Sequence, residues 1–171
     1  MNKVVPLDQL RLGFSCYVFT TDGRLLLTMR GHVKRTWSGA WTNSCGGHPA
    51  PGELLDGAVA RTLRDELGLH TAVPELVLSR FRYRSEGEDG VAENELCPVY
   101  RVVTDESPSP EPGAVGDFEW VDWVDFVYAV ASRDISVAPW CRLQVAELCA
   151  LGEDPTRWPV VADDPALPLV S

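Results

Sequence analysis

The sequence predicts an α+β protein in which helices cover a mixed β-sheet, and three features carry that prediction. Residues 13–30 form two strand-like runs around Asp22-Gly23, one of the strongest short signals for a β-hairpin. Residues 53–67 repeat apolar side chains at helical spacing, and Gly68 follows as a helix C-cap. Strands and helices then follow without regular alternation, which is typical of segregated layers in an α+β sandwich.

The middle of the chain predicts further strands. Residues 75–84 and 91–103 are rich in residues that favour strands, and an acidic, glycine-containing segment separates them. We therefore expect two antiparallel strands with a mobile connection. Residues 105–113 form an acidic, proline-rich stretch that predicts a solvated loop, and residues 118–123 predict another strand.

The C-terminal part predicts two helices and a tail. We expect a short helix over residues 124–133, an amphipathic helix over residues 138–152 and a loose tail over residues 155–171. A chain of 171 residues with 45% hydrophobic content can bury one good core, so we expect a single domain over residues 1–171.

Charge and cysteine content restrict the classes of function. Fifteen basic against 25 acidic residues leave a net charge of -10, which disfavours nucleic acid and anionic membranes as partners. Five cysteines without a CxxC pair are typical of reduced thiols, so we expect a cytoplasmic protein. No apolar run has the length of a transmembrane helix, and we therefore expect no membrane span.

The helix over residues 53–67 carries carboxylates at an informative spacing. Glu53 is followed by Arg61 after seven residues, and then by Asp65 and Glu66. The spacing resembles the Nudix signature, in which a loop–helix–loop presents glutamates to a divalent metal on a diphosphate, and it implies a Nudix-like α/β/α sandwich. The first glutamate of the family's Arg-Glu pair is replaced by Thr62, which thins the set of hard oxygen ligands for Mg²⁺. The alternative is that these carboxylates are simply solvated helix charges.

Four segments together resemble the type I isopentenyl-diphosphate isomerase family of the Nudix superfamily. They are "WSGAWTNSCGGHP", "FRYR", "ENELCPVY" and "PWCRLQ". In that family an alkene is protonated and then deprotonated at another carbon, through a tertiary carbocation. The resemblance implies that Glu95, with Tyr83, delivers or relays the proton, with Glu93 beside them. It also implies that the π-face of Trp140 stabilises the cation.

The resemblance implies a metal site and a diphosphate site as well. The residues that match metal-binding positions are His48, Glu93, Glu95 and Glu66. Arg30 and Lys34 match basic residues near the diphosphate. The expected cofactor is therefore Mg²⁺ or none, depending on whether the metal site is retained.

The position of the family's catalytic cysteine is occupied by Gly46. One of the two proton-transfer groups is therefore missing. Cys45 is adjacent, but neighbours on a strand point to opposite faces, so it should not replace that cysteine. We assign Gly46 and Cys45 to the substrate-binding set, together with Arg30, Lys34 and Arg11.

Other departures affect the metal and the diphosphate. Two metal histidines of the family fall on Val4 and Arg11, and a diphosphate-binding arginine falls on Thr62. The guanidinium of Arg11 can pair with Glu93 or Glu95 in the place of the metal. Taken singly, each matched residue also has an ordinary structural explanation; for example, two glutamates two apart on a strand often mark a solvent-facing edge.

The leading hypothesis is an enzyme that protonates an isoprenoid alkene and controls the carbocation, as a terpenoid cyclase or isomerase. Loss of the cysteine enlarges the pocket at the reacting centre, and loss of metal and diphosphate ligands suits a neutral prenyl chain. Three alternatives stay open. They are a divergent isopentenyl-diphosphate isomerase, a Mg²⁺-dependent Nudix diphosphohydrolase and a non-catalytic isoprenoid-binding protein.

Overall fold

A computed structural model describes residues 10–86 and 92–162 of the chain. The strands in these ranges are β1 (Arg11–Leu12), β2 (Phe14–Phe19), β3 (Arg24–Arg30), β4 (Trp41–Thr42), β5 (Cys45–Gly47), β6 (Glu75–Leu78), β7 (Arg82–Glu86), β8 (Ala92–Leu96), β9 (Val99–Val103) and β10 (Val115–Asp122). The α-helices are α1 (Leu55–Leu67), α2 (Trp123–Ala131) and α3 (Pro139–Leu148). Short 3-10 helices follow at Cys149–Leu151 and Pro155–Arg157.

The strands form two sheets of mixed direction. The larger sheet has the order β10-β3-β2-β9-β6, with β4 beside β3 and β5 beside β2. Strands β2 and β9 run parallel, whereas β2 and β3 are antiparallel and form the hairpin predicted around Asp22-Gly23. The smaller sheet has the order β1-β8-β7, and β1 runs parallel to β8.

Strand β2 is buried along its whole length and supplies side chains to two cores. Since alternate side chains of a strand point to opposite faces, its residues divide between the two sides of the larger sheet. Phe14, Cys16 and Val18 pack with residues of α1, whereas Tyr17 and Phe19 pack with residues of α2 and α3. The result is the α/β/α sandwich that the sequence predicts.

Helix α1 follows its sequence pattern closely. Its buried side chains are Ala58, Val59, Thr62, Leu63 and Leu67. Gly68 ends the helix at φ 65°, a left-handed conformation that favours glycine, and its N–H donates to the carbonyl of Arg64. None of the helices in residues 10–86 and 92–162 is long and apolar enough to cross a membrane.

The segment 75–84, predicted as one strand, is two strands in different sheets. β6 ends at Leu78 in the larger sheet, and β7 begins at Arg82 in the smaller one. Between them Phe81 is buried, and its carbonyl accepts the N–H of Cys97. The sequence pattern does not show this change of sheet, because the residues of both strands have similar strand propensity. The segment 91–103, also predicted as one strand, divides in the same way into β8 in the smaller sheet and β9 in the larger one. β7 and β8 are antiparallel, and their connection lies outside the described residues.

The expectation of a loose tail beginning at residue 155 is wrong for residues 155–162. Trp158 is 2% exposed, and its ring centroid lies 5.4 Å from that of Phe19 and 5.3 Å from that of Trp123. The guanidinium of Arg101 donates to the carbonyls of Pro155 (2.9 Å) and Trp158 (3.1 Å). A single tryptophan among prolines and charges has no periodic signal, so only the tertiary contacts show that it is anchored.

Replacing Trp158 with alanine should destabilise the protein by about 3–5 kcal/mol, because it removes a fully packed aromatic side chain. Urea denaturation followed by circular dichroism measures this free energy of unfolding. The control is Val160→Ala at an exposed site, which should change the stability by less than about 0.5 kcal/mol. Equal stability of Trp158→Ala and the unmodified protein would contradict the anchoring of this segment.

Candidate active site

The pairing of three strands in the smaller sheet aligns an arginine, a glutamate and a tyrosine. Arg11 on β1 pairs with Glu95 on β8, and Glu95 pairs with Tyr83 on β7. Since directly paired residues share a face of the sheet, the three side chains point to the same side. Arg11 is exposed, the Glu95 side chain is 16% exposed and Tyr83 is 3% exposed, so exposure falls along this row.

His48 and Gly13 complete the surroundings of the Glu95 carboxyl group. His48 Nε2 lies 3.3 Å from Glu95 Oε1, and His48 Nδ1 lies 3.1 Å from the carbonyl of Leu12. A carbonyl accepts only, so Nδ1 carries a hydrogen and Nε2 faces the carboxyl group. A Cβ added at Gly13 would lie 2.8 Å from Glu95 Oε2. Glycine at this position therefore leaves room for the carboxyl group.

The indole ring of Trp140 lies beside Tyr83 at the start of α3. The two ring centroids are 5.9 Å apart, and the planes meet at 77°. Trp140 Nε1 donates a 2.9 Å hydrogen bond to Asn43 Oδ1, which holds the ring in one orientation. Arg30 Cζ lies over the ring, 5.1 Å from its centroid. The structure thus pairs Glu95 with Tyr83 and Tyr83 with Trp140, and it places the predicted Arg30 over the indole ring.

Asn43 is a residue of this region that the sequence reasoning missed. It is 2% exposed, and its Nδ2 donates to the carbonyls of Cys45 (2.7 Å) and Cys16 (3.3 Å). Its Oδ1 accepts from Thr42 Oγ1 (2.7 Å) as well as from Trp140. Asn43 therefore connects the indole of Trp140 to β5 and β2 through hydrogen bonds. In the sequence, its position within the segment "WSGAWTNSCGGHP" is the one signal that could have identified it.

Gly46 faces the α3 side of the larger sheet, where it pairs with Ser15. A Cβ added at Gly46 would lie 2.9 Å from the carbonyl oxygen of Phe14 and 3.9 Å from Ser15 Oγ. The space that the missing side chain was expected to leave is thus partly filled by backbone.

A buried hydrogen-bond network lies on the same side of the larger sheet. Gln144 Nε2 donates to Ser15 Oγ (2.9 Å), and Gln144 Oε1 accepts from the Tyr17 hydroxyl (2.8 Å). The sequence reasoning did not single out this buried network.

Cys45 does not lie in the candidate site, which corrects its assignment to the substrate-binding set. It pairs with Cys16 and packs in the core beneath α1, on the opposite face from Gly46. A hydrogen bond with Cys16 and burial raise the pKa of the Cys45 thiol well above its ordinary value. Cys45 therefore has neither the direction nor the acidity to replace the family's cysteine.

The carboxylates of the helix region are held by basic side chains. Arg61 Nη2 lies 2.9 Å from Glu53 Oε1, and this hydrogen-bonded pair lowers the pKa of Glu53 to about 2. Glu66 forms a largely buried ion pair with Lys34. Lys34, predicted near the diphosphate, therefore pairs with Glu66, predicted to bind metal.

The described donor atoms do not make a complete divalent-metal site. His48 and Glu95 converge, but no group of three His, Cys, Asp or Glu residues does so within residues 10–86 and 92–162. Val4 and the side chain of Glu93 lie outside the described part of the chain. Arg11 shares a face with Glu95, and a guanidinium cannot bind a cation. His48 is a partner of Glu95 in the structure, and pairing of Arg11 with Glu93 or Glu95 remains a prediction.

A separate cavity of about 270 Å³ lies at the smaller sheet, lined by Arg82, Tyr83, Arg84 and Asn94. Arg82, Arg84 and Asn94 alternate along their strands with Tyr83 and Glu95. Their side chains therefore point to the opposite face of the sheet from the Glu95 carboxyl group. Tyr83 is the lining residue that this cavity shares with the candidate site.

The fold and the helix signature define a NUDIX domain, and residues 9–141 match the model of that domain. Among solved structures, DR0079 from Deinococcus radiodurans is similar at a TM-score of 0.66 and 16% identity, covering 86% of this chain and 89% of that one. The MutT protein from Methanosarcina mazei Go1 is similar at a TM-score of 0.64 and 18% identity, covering 81% and 91% of the two chains. At these identities the similarity shows the fold alone.

Similarity to curated proteins is much higher. An isopentenyl-diphosphate Delta-isomerase from Saccharopolyspora erythraea is 52% identical over 157 residues, which cover 92% of this chain and 80% of that protein. A protein of the same name from Rhizobium rhizogenes is 43% identical, covering 93% of this chain and 76% of that protein. The chain therefore belongs to the isopentenyl-diphosphate Delta-isomerase family.

Gly46→Ala should destabilise the protein by about 1–3 kcal/mol, because the new Cβ meets the Phe14 carbonyl and β5 must move. Chemical denaturation measures the free energy of unfolding. The matched control is Gly57→Ala in α1, where a Cβ meets only Glu53 Cγ at 3.9 Å. Because alanine favours the helix, this change should stabilise by about 0.5–1 kcal/mol. An unchanged free energy of unfolding in Gly46→Ala would contradict this prediction and would show that β5 can shift at no cost.

Proposed function

We propose that the protein protonates a carbon–carbon double bond of a small-molecule isoprenoid, with Glu95 as the acid. The observation that supports this most strongly is the cross-strand pairing of Glu95 with Tyr83, whose ring in turn lies 5.9 Å from that of Trp140. This places a carboxyl group, a phenol and an indole π-face in sequence along one side of the smaller sheet. A carboxyl group and a phenol can transfer a proton, and an indole π-face can stabilise a cation, so the three groups together support this chemistry.

The reaction has two steps. The Glu95 carboxyl group transfers its proton to the less substituted alkene carbon, the π-bond electrons form the new C–H bond, and the neighbouring carbon becomes a tertiary cation. The ring of Trp140 stabilises that cation through its quadrupole. The cation then loses a proton from an adjacent carbon to the Glu95 carboxylate that the first step leaves, which moves the double bond. Alternatively, a second double bond of the same chain attacks the cation and closes a ring, and the new cation loses a proton to the same carboxylate or to water.

Isopentenyl diphosphate is the first substrate to test. Relatives with 43–52% identity are named isopentenyl-diphosphate Delta-isomerases, and that supports isomerisation more than ring closure. Arg30 and Lys34 are the basic groups proposed for the diphosphate. Arg30 lies at the Trp140 ring and Lys34 is paired with Glu66, so substrate binding would draw both cations to the phosphate oxygens.

Protonation-initiated cyclisation of a longer isoprenoid is the second candidate. Gly46 favours it, since a glycine supplies no second proton-transfer group to complete the ordinary isomerase cycle. The close Phe14 carbonyl weakens the argument from an enlarged pocket. A Mg²⁺-dependent diphosphohydrolase has less support, because Glu53 and Glu66 are paired with Arg61 and Lys34. A non-catalytic isoprenoid-binding protein is the outcome if no substrate is converted.

Glu95→Gln should abolish turnover and keep substrate binding, because the amide retains the shape but has no transferable acid proton. Isopentenyl diphosphate and longer prenyl substrates are incubated in deuterated water, with and without chelator, and products are identified by NMR and mass spectrometry. The product of the unmodified protein should contain one solvent deuterium at the carbon that is protonated first.

Tyr83→Phe serves as the matched variant, because it removes one hydroxyl from the same paired position. Its effect should be smaller than that of Glu95→Gln if the tyrosine only positions or relays the proton. Full activity of Glu95→Gln, or a product without solvent deuterium, would exclude Glu95 as the acid. Glu66→Gln and the Mg²⁺ dependence of phosphate release would then test the diphosphohydrolase.

The rate with isopentenyl diphosphate should be about 10²–10⁴-fold below that of a relative with the family's cysteine, because one positioned proton-transfer group is absent. Gly46→Cys alone should not restore it, since Arg11 and Thr62 also differ from the family and the new side chain meets the Phe14 carbonyl. Steady-state rates of dimethylallyl diphosphate formation measure both. Recovery to the rate of the relative would mean that Gly46 is the only important departure.

A further inference from the structure

Trp37 lies against the proposed site, although the sequence reasoning did not single it out. It belongs to the loop between β3 and β4, and its ring centroid is 6.4 Å from that of Trp140, with the planes at 81°. It is only partly buried. In the described ranges of the chain it belongs to neither hydrophobic core, whereas Trp140 packs against one of them. Packing in the core therefore does not explain its position.

The backbone of Trp37 has an unfavourable conformation that its surroundings maintain. Its φ is 56°, in the left-handed region that bulky residues rarely adopt. Arg30 Nε donates to the carbonyl of Thr36 (2.9 Å), and the N–H of Ala40 donates to the carbonyl of Trp37 (3.0 Å). Gly39 follows with φ 83° and donates its N–H to the carbonyl of Arg30 (2.8 Å). Residues with strained backbones cluster at ligand-binding sites. Here the strained conformation places the indole of Trp37 beside that of Trp140.

We infer that Trp37 is a specificity-determining residue that forms, with Trp140, a corner for a cationic centre close to a diphosphate. This inference rests on the proposed function for the identity of the cation. The two indole planes are nearly perpendicular, so both rings can present a face to one group in the corner between them.

Arg30 supports the cationic character of this corner and connects it to the diphosphate. Its guanidinium lies over Trp140, which shows that a cation fits on this ring, and its Nε holds the loop at Thr36. A guanidinium binds phosphate oxygens strongly and bidentately. A ligand with a diphosphate would draw the Arg30 charge to its phosphate end and present its own positive centre to the two indoles.

Two probes of equal shape test this inference. 2-(Trimethylammonio)ethyl diphosphate and 3,3-dimethylbutyl diphosphate differ only in a charged nitrogen against a neutral carbon. Isothermal titration calorimetry with the full chain gives the ratio of their dissociation constants. The unmodified protein should prefer the charged probe by about three- to thirtyfold, the range of cation–π contacts.

Trp37→Leu should reduce this preference by about threefold or more, and Trp37→Phe, which keeps an aromatic face, should retain part of it. Trp140→Leu should reduce it as well. The control is Trp120→Leu on β10, whose side chain packs against the other core and which should keep the full preference. Circular dichroism confirms that each variant is folded, and Trp37→Phe provides the test if Trp37→Leu does not fold.

Three results would overturn the inference. The first is an unmodified protein without preference for the charged probe. The second is a Trp37→Leu variant that binds both probes more weakly by the same factor, as expected of a packing role. The third is an unchanged preference in Trp37→Leu, or, if that variant does not fold, a preference in Trp37→Phe equal to that of the unmodified protein, beside a loss in Trp140→Leu. Absence of turnover with every isoprenoid would remove the proposed reaction, but it would leave the probe ratio as a separate result.

Discussion

The burial of β2 on both faces is the constraint on which the rest of the structure depends. The strand pairs with β3, β5 and β9, and its alternate side chains enter the core beneath α1 and the core beneath α2 and α3. A shift of one residue would exchange the two sets, so the register is strongly specified. Because β5 pairs with β2, the same register turns Gly46 towards α3 and Cys45 towards α1. The faces of the larger sheet that Cys45 and Gly46 occupy therefore follow from the register of β2.

The candidate site joins two parts that different elements provide. The smaller sheet supplies the carboxyl group of Glu95, with Tyr83 opposite it and His48 at 3.3 Å. Helix α3 and the loop after β3 supply Trp140 and Trp37, and Asn43 anchors the first of these rings. The carboxyl group proposed as the acid and the indole proposed to stabilise the cation are thus placed by separate parts of the fold. The distance between them therefore depends on how the smaller sheet packs against α3.

The residues proposed for alkene protonation lie closer to one another than those predicted to bind metal and diphosphate do to a metal site. Arg11 stands on the same face as Glu95, where the family has a metal histidine, and Thr62 is buried within α1. Glu66 is neutralised by Lys34, and Glu53 by Arg61. Arg11 and the two ion pairs change the charges that the predicted metal and diphosphate residues present. The ring contact between Tyr83 and Trp140 is present in the same structure.

The sequence by itself determined the α+β class, the β2–β3 hairpin, α1 with its Gly68 cap and the identity of Glu95, Tyr83 and Trp140. These depend on local turn chemistry, on periodicity and on short motifs, all of which are visible within a few residues. Only the tertiary structure decided that residues 75–84 enter two sheets and that Trp158 docks on Phe19. It also decided that Cys45 packs in the core beneath α1, and that Trp37 contacts Trp140. These depend on contacts between segments far apart in the chain, whose partners no local pattern specifies.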